Sequence, residues 1–473
     1  MPRASSGVPR RLEEFFRIGA RGSSLGREAR GGLATFFTMA YILVLNPIIL
    51  GGATDIDGDR LSGEQLVTVT ALVAAVMTVL MGLTANLPLA LAAGLGINAL
   101  VAFQLAPRMT WPDAMGLVVI EGLILCVLSA TGLREAVMHA IPTALKQAIG
   151  VGIGLFIALI GFVDAGFTIG REGSPPLALG SPEGELRGWP ILVFCLGLLL
   201  TLALLARRVR GAILISILVT TLFALLVNAV ADIADEAWGL TAPSLPDDVV
   251  ATPDFGLVGN VSLFGAFGEL SFLTVVLIIF TLFLTDFFDT MGTAVGVTAE
   301  AGLLDERGRV PRLGRLLFVD GLAAAAGGAA SASSNTSYVE SAAGVGEGAR
   351  TGFANLVTGG LFALALFFAP LAAVVPSQAA APALVAVGFL MMTGVGRIDW
   401  SDHSLAIPAF VTIAVMPFTF SITNGIGAGF IAYATLKLVL GRAREVSWLM
   451  WGAAALFVVY FAINPVEQLF GVA

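Results

Sequence analysis

Two aspartates, Asp286 and Asp289, interrupt the strongly apolar stretch TLFLTDFFDTMGT. They are three residues apart, so on a helix they share one face. A carboxylate in the hydrocarbon of a bilayer costs about 2.5–3.5 kcal/mol on insertion scales, and such groups commonly mark a pathway for a solute or an ion. We interpret both as lining a polar cavity in which one carboxyl group can hold a proton. The alternative is that they bond to neighbouring helices, or that Asp289 caps a broken helix.

Four other side chains belong to the same hypothesis. Glu340 lies in the polar segment NTSYVESAAG and is interpreted as a ligand-binding or proton-exchanging group, although a carboxylate at a helix start is also favoured by the helix dipole. Asn98 could hydrogen-bond a ligand or cap a short helix. Phe287 and Tyr338 could stack on a planar ligand, and ordinary packing is the alternative for both.

Two further acids, Glu121 and Asp320, are also embedded in apolar sequence, and we interpret them as structural hydrogen-bonding groups. The candidate site therefore holds Asp, Glu and Asn and, in the sequence, no Lys, Arg or His near them. This composition favours an uncharged polar heterocycle or an amino-acid-like solute over sulfate or bicarbonate. The chain's two histidines are far apart and form no HExxH pattern, so no metal site is predicted.

The composition defines the environment of these residues. Of 473 residues, 57% are hydrophobic and 12% are charged, with a mean hydropathy of +0.93. A soluble domain would carry roughly a quarter charged residues. The chain is therefore predicted to be an all-α polytopic membrane protein, because apolar segments of about 20 residues recur along it and the alternation of a membrane barrel is absent. An intramembrane aspartyl protease would need two carboxylates from separate helices, and this pair is local.

About fourteen predicted transmembrane segments divide into two sets of seven. Residues 1–30 are basic and are predicted to be a cytoplasmic N-terminal segment. Residues 31–231 form the first seven-span repeat, residues 232–269 an acidic extracellular loop, and residues 270–441 the second repeat. An odd number of spans per half inverts the second repeat, a common build for secondary transporters. Residues 442–473 are a C-terminal segment whose apolar part, 448–463, could be a further span or an interfacial helix.

The third span of each half is predicted to be interrupted. NLPLALAAGLGINALVAF contains proline, glycine and asparagine, and SASSNTSYVESAAGVGEG is short and rich in serine and glycine. Paired interrupted segments in corresponding positions point to a binding site near the middle of the membrane. We expect a short extended stretch followed by a half-helix in spans 3 and 10.

The same motifs carry a family resemblance that covers nearly the whole chain. GREARGGLATFFTMAYILVLNPIIL, LAAGLGINAL, TDFFDTMGTAVGV, NTSYVESAAGVGEGARTGFANLVTGGLF and MPFTFSITNGIGAGF resemble segments of the AzgA-like purine permeases. These form a branch of the nucleobase–cation symporter 2 (nucleobase–ascorbate transporter) superfamily. The Gln/Glu-Asn-x-Gly pattern of the uracil and xanthine branches is absent here.

The resemblance implies a core domain of spans 1–4 and 8–11 and a gate domain of spans 5–7 and 12–14. It implies a multi-pass homodimer in the cell (inner) membrane, not an enzyme, that imports adenine, guanine or hypoxanthine by proton symport. It assigns substrate binding to Asp286 and Glu340, which also serve proton coupling, with Asp289, Asn98 and Gly96 in support. No cofactor or nucleic-acid partner is implied. The alternatives are a same-fold carrier for uracil, xanthine or a small anion, and coupling to Na⁺ instead of H⁺.

Overall fold

The computed structural model describes residues 10–131, 140–171, 176–181, 183–239, 241–246, 248–305 and 309–470, without the side chains of Arg10 and residues 463–470. Parts of the predicted terminal segments, residues 1–9 and 471–473, therefore lie outside the described residues.

The first half of the chain consists of helices with short connections and one small hairpin. After the N-terminal helix α1, span 1 consists of two consecutive helices, α2 and α3, which are separated by Ala40 and Tyr41. The elements are α1 (Arg10–Phe16), α2 (Leu25–Met39), α3 (Ile42–Gly52), α4 (Gly63–Thr84), β1 (Leu91–Ala93), α5 (Leu95–Leu100), a π-helical turn (Val101–Leu105) with a 3-10 turn (Ala106–Arg108), α6 (Trp111–Thr131), α7 (Thr143–Asp164), β2 (Thr168–Gly170), β3 (Leu177–Leu179), α8 (Trp189–Ala206) and α9 (Ala212–Ala231).

The second half follows a loop that contains one 3-10 turn (Asp235–Trp238). Its long helix α11 begins where the Ser271 side chain accepts a hydrogen bond from the Thr274 N–H, and this satisfies a backbone donor that the helix start leaves free. The elements are α10 (Ala266–Glu269), α11 (Phe272–Glu300), α12 (Leu313–Ala329), β4 (Asn335–Ser337), α13 (Ser341–Gly346), α14 (Phe353–Ala365) with a 3-10 turn (Leu366–Phe368) and α15 (Ala369–Ala373), α16 (Ser377–Met392) with a 3-10 turn (Thr393–Arg397), α17 (His403–Phe418), α18 (Ile422–Val439), a 3-10 turn (Ala443–Glu445) and α19 (Trp448–Phe470).

The all-α membrane architecture is confirmed. In the described part of the chain, ten helical segments are long and apolar enough to cross a membrane, and the remaining spans are shorter or interrupted. The apolar stretch after the second half is a single helix, α19, which packs along α18 with the ring of Phe457 against Gly427.

The two interrupted spans are also confirmed, and they meet. Span 3 contains β1 followed by α5, and span 10 contains β4 followed by α13. The strands pair antiparallel, with Leu91 opposite Ser337 and Ala93 opposite Asn335. Backbone N–H and C=O groups at this depth need partners inside the protein, because the bilayer interior offers no water. Each interrupted span thus supplies the hydrogen-bond partners that the other requires.

The main helix contacts fall into two groups. Spans 1–4 pack with spans 8–11, chiefly through α6 on α12, α4 on α14 and α2 on α14. Spans 5–7 pack with spans 12–14, chiefly through α7 on α16 and α17 and through α8 on α16. Contacts between the groups are fewer, and several of them are made by α11 and α5, the elements that carry the candidate residues. The candidate site therefore lies next to the interface between these two groups of helices.

Candidate functional site

Equivalent helices of the two halves hold the paired strands in place. The Thr78 hydroxyl on α4, in span 2, donates to the carbonyl oxygen of Leu91 (3.0 Å) and accepts from the Leu91 N–H (2.9 Å). On α12, in span 9, the Asp320 carboxylate accepts hydrogen bonds from Ser337 (3.0 Å) and Thr290 (2.7 Å). Asp320 is therefore a structural hydrogen-bonding group, as the sequence predicts. The matching attachments of β1 and β4 follow from the inverted repeat.

Asp286 lies on α11 behind these strands and is fully buried. One of its carboxylate oxygens accepts a hydrogen bond from the Ser334 hydroxyl at 3.0 Å. The other oxygen has no N–H or O–H partner. A buried carboxylate oxygen without a donor is uncommon, because buried polar atoms normally form hydrogen bonds. Asp286 therefore keeps one acceptor available.

Two buried asparagines lie at the ends of the paired segments with unused hydrogen-bonding capacity. Asn98, on α5, and Asn335, in β4, are both fully buried, and neither the amide oxygen nor the amide nitrogen of either side chain has a partner. Gly96, two residues before Asn98, is in a tight contact, since a Cβ there would come within 2.9 Å of the Ile153 side chain. The small residue at 96 thus lets α5 approach α7 closely.

Glu340 and Asp289 face a more accessible space than Asp286 does. The Tyr41 hydroxyl donates a hydrogen bond to the half-buried Glu340 side chain, and the Thr38 hydroxyl lies 3.4 Å from the Glu340 carbonyl oxygen. Asp289 is exposed, and its carboxylate interacts with those of Asp286 and Glu340. One turn further along α11, Gly292 has open space around its Cα. The three acids that the sequence singles out are thus brought together, with Asp286 innermost.

The two candidate aromatic residues are occupied within the protein. The ring of Phe287 stacks on Phe283, with 5.6 Å between centroids, and meets the edge of Phe288. The Tyr338 hydroxyl donates to the carbonyl oxygen of Ala93 at 2.5 Å and so joins the two interrupted spans. Stacking of either ring on a ligand stays a prediction.

The structure corrects two expectations from the sequence. A basic residue does lie near the acids, because α7 places the Lys146 ammonium over the Phe288 ring, 5.4 Å from its centroid. Glu121 receives no hydrogen bond from an N–H or hydroxyl group of the described residues, and its hydrogen-bonding neighbour is the carboxyl group of Asp286. Asn335 was missed altogether, although it belongs to the interrupted segment that the sequence identifies. The one signal for Asn335 in the sequence is that each of the two interrupted segments contains an asparagine, Asn98 in span 3 and Asn335 in span 10.

Two cavities lie away from this cluster. One of about 550 Å³ is lined by residues that include Leu83 and Phe318, and one of about 330 Å³ lies near Ile48 and Leu61. Among the described residues, no group of three His, Cys, Asp or Glu side chains could hold a metal ion. Of the candidate acids, Asp289 is exposed and Glu340 is half-buried.

A polytopic helix bundle with two interrupted spans that meet around acids and unpaired amides is the architecture of a membrane transporter. Residues 26–467 match the sequence profile Xan_ur_permease, described as the Permease family, and the chain belongs to that family. This confirms a multi-pass membrane transporter rather than an enzyme.

Two bacterial permeases are similar to this protein over nearly the full length of the chain. The chain is 39% identical over 455 residues to the guanine/hypoxanthine permease PbuG of Bacillus subtilis (strain 168), covering 95% of this chain and 99% of that protein. It is 38% identical over 451 residues to the adenine permease AdeP of Escherichia coli (strain K12), covering 95% of each.

Solved structures confirm the inverted-repeat fold. The transmembrane domain of the cyanobacterial bicarbonate transporter BicA superposes with a TM-score of 0.60 at 14% identity, covering 85% of this chain and 97% of that one. SLC26A9 superposes with a TM-score of 0.59 at 12% identity, covering 92% and 70%. At these identities the likeness concerns the fold alone.

Proposed function

We propose that this chain imports purine nucleobases across the cell membrane together with protons, by alternating access. The permeases most relevant to the proposal are named for guanine, hypoxanthine and adenine, and they match the chain from end to end. The N-terminal segment then lies in the cytoplasm, as its arginines indicate. The homodimer stays a prediction, which a mass measurement in nanodiscs would test.

The observation that carries the proposal is the set of buried polar atoms without partners. Asn98 and Asn335 each offer an amide donor and an amide acceptor, and Asp286 offers one carboxylate oxygen. Such atoms are normally satisfied by protein, water or ligand. A purine carries ring nitrogens that accept, and N–H groups that donate, along a rigid edge. An asparagine amide can pair with such an edge through two hydrogen bonds.

The charges at the site favour an uncharged cargo. Asp286 and Glu340 lie near enough to Asp289 to interact electrostatically with it, and a small anion would be repelled by the three acids. Lys146 is the one basic residue seen beside this segment, among the residues described, and it lies over an aromatic ring. A neutral base that donates N–H groups to carboxylates suits this arrangement better than bicarbonate, even though the fold is shared with a bicarbonate transporter.

The two packing groups supply the moving parts of the proposed cycle. Spans 1–4 and 8–11, the core domain, carry the paired strands and the acids, and the other group is the gate domain. An ion pair joins the two domains on the side of the membrane where the N-terminal segment lies. It forms between Arg210, in the gate loop before α9, and Glu347, after α13 of the core. Movement of the core against the gate would break this pair and carry the site towards the other face.

The test is uptake into proteoliposomes that contain the purified protein. Labelled adenine, guanine, hypoxanthine, uracil and bicarbonate are offered with and without an imposed pH gradient, and with and without Na⁺. We expect saturable uptake of one or more purines that rises when the exterior is acidic, and loss of that uptake in Asp286→Asn. Glu185→Gln, which changes an exposed acid outside the spans, is the matched control.

Each alternative gives a distinct pattern in this assay. Purine uptake that depends on Na⁺ and not on the pH gradient would show that Na⁺ is the coupling ion, while the proposed cargo would stand. Uptake of uracil or bicarbonate without any purine would overturn the proposed cargo. Full proton-driven uptake in both Asp286→Asn and Glu340→Gln would remove the acids from the mechanism.

A further inference from the structure

Glu121 is a buried acid that the proposed site does not yet use. It lies in the middle of α6, where the other residues from Ala114 to Thr131 are uncharged. Its side chain is fully buried, and no N–H or hydroxyl group of the described residues donates to it. Burying an ionised carboxylate without a donor is costly, so this group must find compensation in another way.

Another carboxyl group can offset the cost of burying Glu121. Helix α6 packs against α11 and α12, and Glu121 lies within hydrogen-bonding reach of Asp286 on α11. The oxygens of Asp320, which approaches from α12, already accept from two hydroxyl groups. Asp286, in contrast, keeps one oxygen without a donor. Glu121 and Asp286 are therefore neighbouring acids that each keep at least one oxygen without an N–H or hydroxyl donor.

Contact between two carboxyl groups requires a proton. An ionised carboxylate only accepts hydrogen bonds, whereas a protonated one donates a single O–H. Two carboxylates that share a buried site cannot both ionise without strong repulsion. The pair is therefore stable with one proton between the two residues, and it loses that stability when the proton leaves.

The groups around Glu121 strengthen this requirement. Asp286 faces it from α11, Asp320 faces it from α12, and Cys126 lies on its own helix. The π-helical turn at Val101–Leu105 also packs on α6 and contains no acid or base. Glu269 belongs to α10, and Gly265, just before that helix, lies against Asp113 in the first turn of α6, well before Glu121.

We propose that Glu121 and Asp286 together form the proton-binding site of the transporter, with the coupled proton held between them. This deepens the proposed function and rests on it. With the proton on Glu121, its O–H donates to Asp286, which remains an anion that can accept an N–H of the purine. When the proton passes to water on the side of Asp289, two carboxylates face each other and the site holds the base less well. Purine release is thereby linked to proton release.

The experiment separates purine movement from proton coupling in the full-length protein reconstituted in proteoliposomes. Exchange of labelled for unlabelled purine is measured at equal pH, and accumulation is measured against a gradient of one pH unit. For one proton per purine, the wild type should accumulate about tenfold, since one pH unit corresponds to 1.36 kcal/mol. Glu121→Gln should retain exchange and accumulate about onefold, whereas Glu64→Gln, at the exposed start of α4, should behave as the wild type.

A second variant guards against a merely structural effect. Glu121→Asp keeps an acid and shortens the side chain, while Glu121→Gln keeps the shape and removes the proton site. Coupled accumulation in the aspartate variant together with uncoupled exchange in the glutamine variant supports the proposal. Tenfold accumulation with proton influx in Glu121→Gln overturns it.

If neither variant folds, infrared spectroscopy of the wild-type protein decides the question, and the Glu340→Gln protein without purine serves only to identify the band of Glu340. A protonated-carboxyl band that responds to ¹³C-labelled glutamate and changes with purine supports the proposal, and its absence overturns it. The proposed function fails separately, namely when the wild type moves no purine at all or moves it without protons.

Discussion

The hydrogen bond between Ser337 and Asp320 gives a prediction whose size follows from the structure. It attaches strand β4 to α12, and its acceptor is a carboxylate with 1% exposure. A hydrogen bond to a charged group contributes about 1.5–3 kcal/mol. Ser337→Ala removes this bond and leaves one Asp320 oxygen without a donor. Local opening of β4 should then become about 10- to 150-fold more frequent, since each 1.4 kcal/mol is a factor of ten.

Hydrogen–deuterium exchange measures this opening directly, because amide protons exchange when their hydrogen bonds break. The peptide that covers residues 335–338 includes the Tyr338 N–H, which bonds the carbonyl oxygen of Ala90 at 2.9 Å. Its exchange should accelerate in Ser337→Ala by the factor given above. Ser447→Ala, which removes a serine hydrogen bond to the Ala140 carbonyl oxygen far from the strands, is the matched control.

The reasoning is refuted if exchange at residues 335–338 in Ser337→Ala stays within about twofold of the wild type, which is less than about 0.5 kcal/mol. Equal acceleration in Ser447→Ala would also refute it, because the effect would then be a general loosening of the bundle. A fast-exchanging β4 in the wild type itself would show that the strand pairing is not formed.

Three further measurements test other contacts. Gly82→Ala should lower the free energy of unfolding by about 1–3 kcal/mol in a thermal-shift assay, since its Cβ would lie 2.4 Å from a backbone oxygen of the facing segment. A Tm equal to the wild type would contradict this close packing. Glu347→Gln breaks the ion pair with Arg210 and should change cysteine accessibility at the core–gate boundary. The change should be less than about fivefold, because both side chains are partly exposed, and it should become smaller at high salt. The double charge swap should restore the wild-type value. Outside the spans, the Arg442 hydrogen bond lowers the pKa of Glu445 from 4.5 to about 2. The ionised Glu445 side chain therefore stabilises the folded protein at neutral pH, and this contribution is lost as the pH falls from about 4.5 towards 2. The difference in Tm between the wild type and Glu445→Gln should disappear over that interval.

The fold was predictable to the extent that it depends on local sequence. Apolar length gives the spans, and a helix cannot continue through the proline, glycine and serine of the two interrupted segments, so spans 3 and 10 could be identified. Their pairing could not be, because its register depends on helices α4 and α12, which place Thr78 and Asp320 at the strands. Hydropathy contains no information about such contacts.

The acids of the site were predictable for a different reason. An ionisable residue in an apolar segment is conspicuous, and Asp286 and Asp289 were found in this way. Glu340 was found because it lies in the second interrupted segment. Asn335 lies among serines and threonines, where one more polar residue carries no signal. Lys146 begins a separate span, and only the packing of α7 against α11 brings it near the acids. The missing donors of Glu121 likewise depend on what its neighbours in space provide.

The pairing of β1 with β4 also has a consequence for biosynthesis. The Tyr338 hydroxyl and the Ala93 carbonyl that it bonds are 245 residues apart in the chain. At roughly 5–20 residues per second, the ribosome needs about 12–50 seconds to make the second strand after the first. During that time the third span enters the membrane with backbone groups that have no final partner. The first half therefore cannot complete its fold alone, and assembly must wait until the tenth span is synthesised.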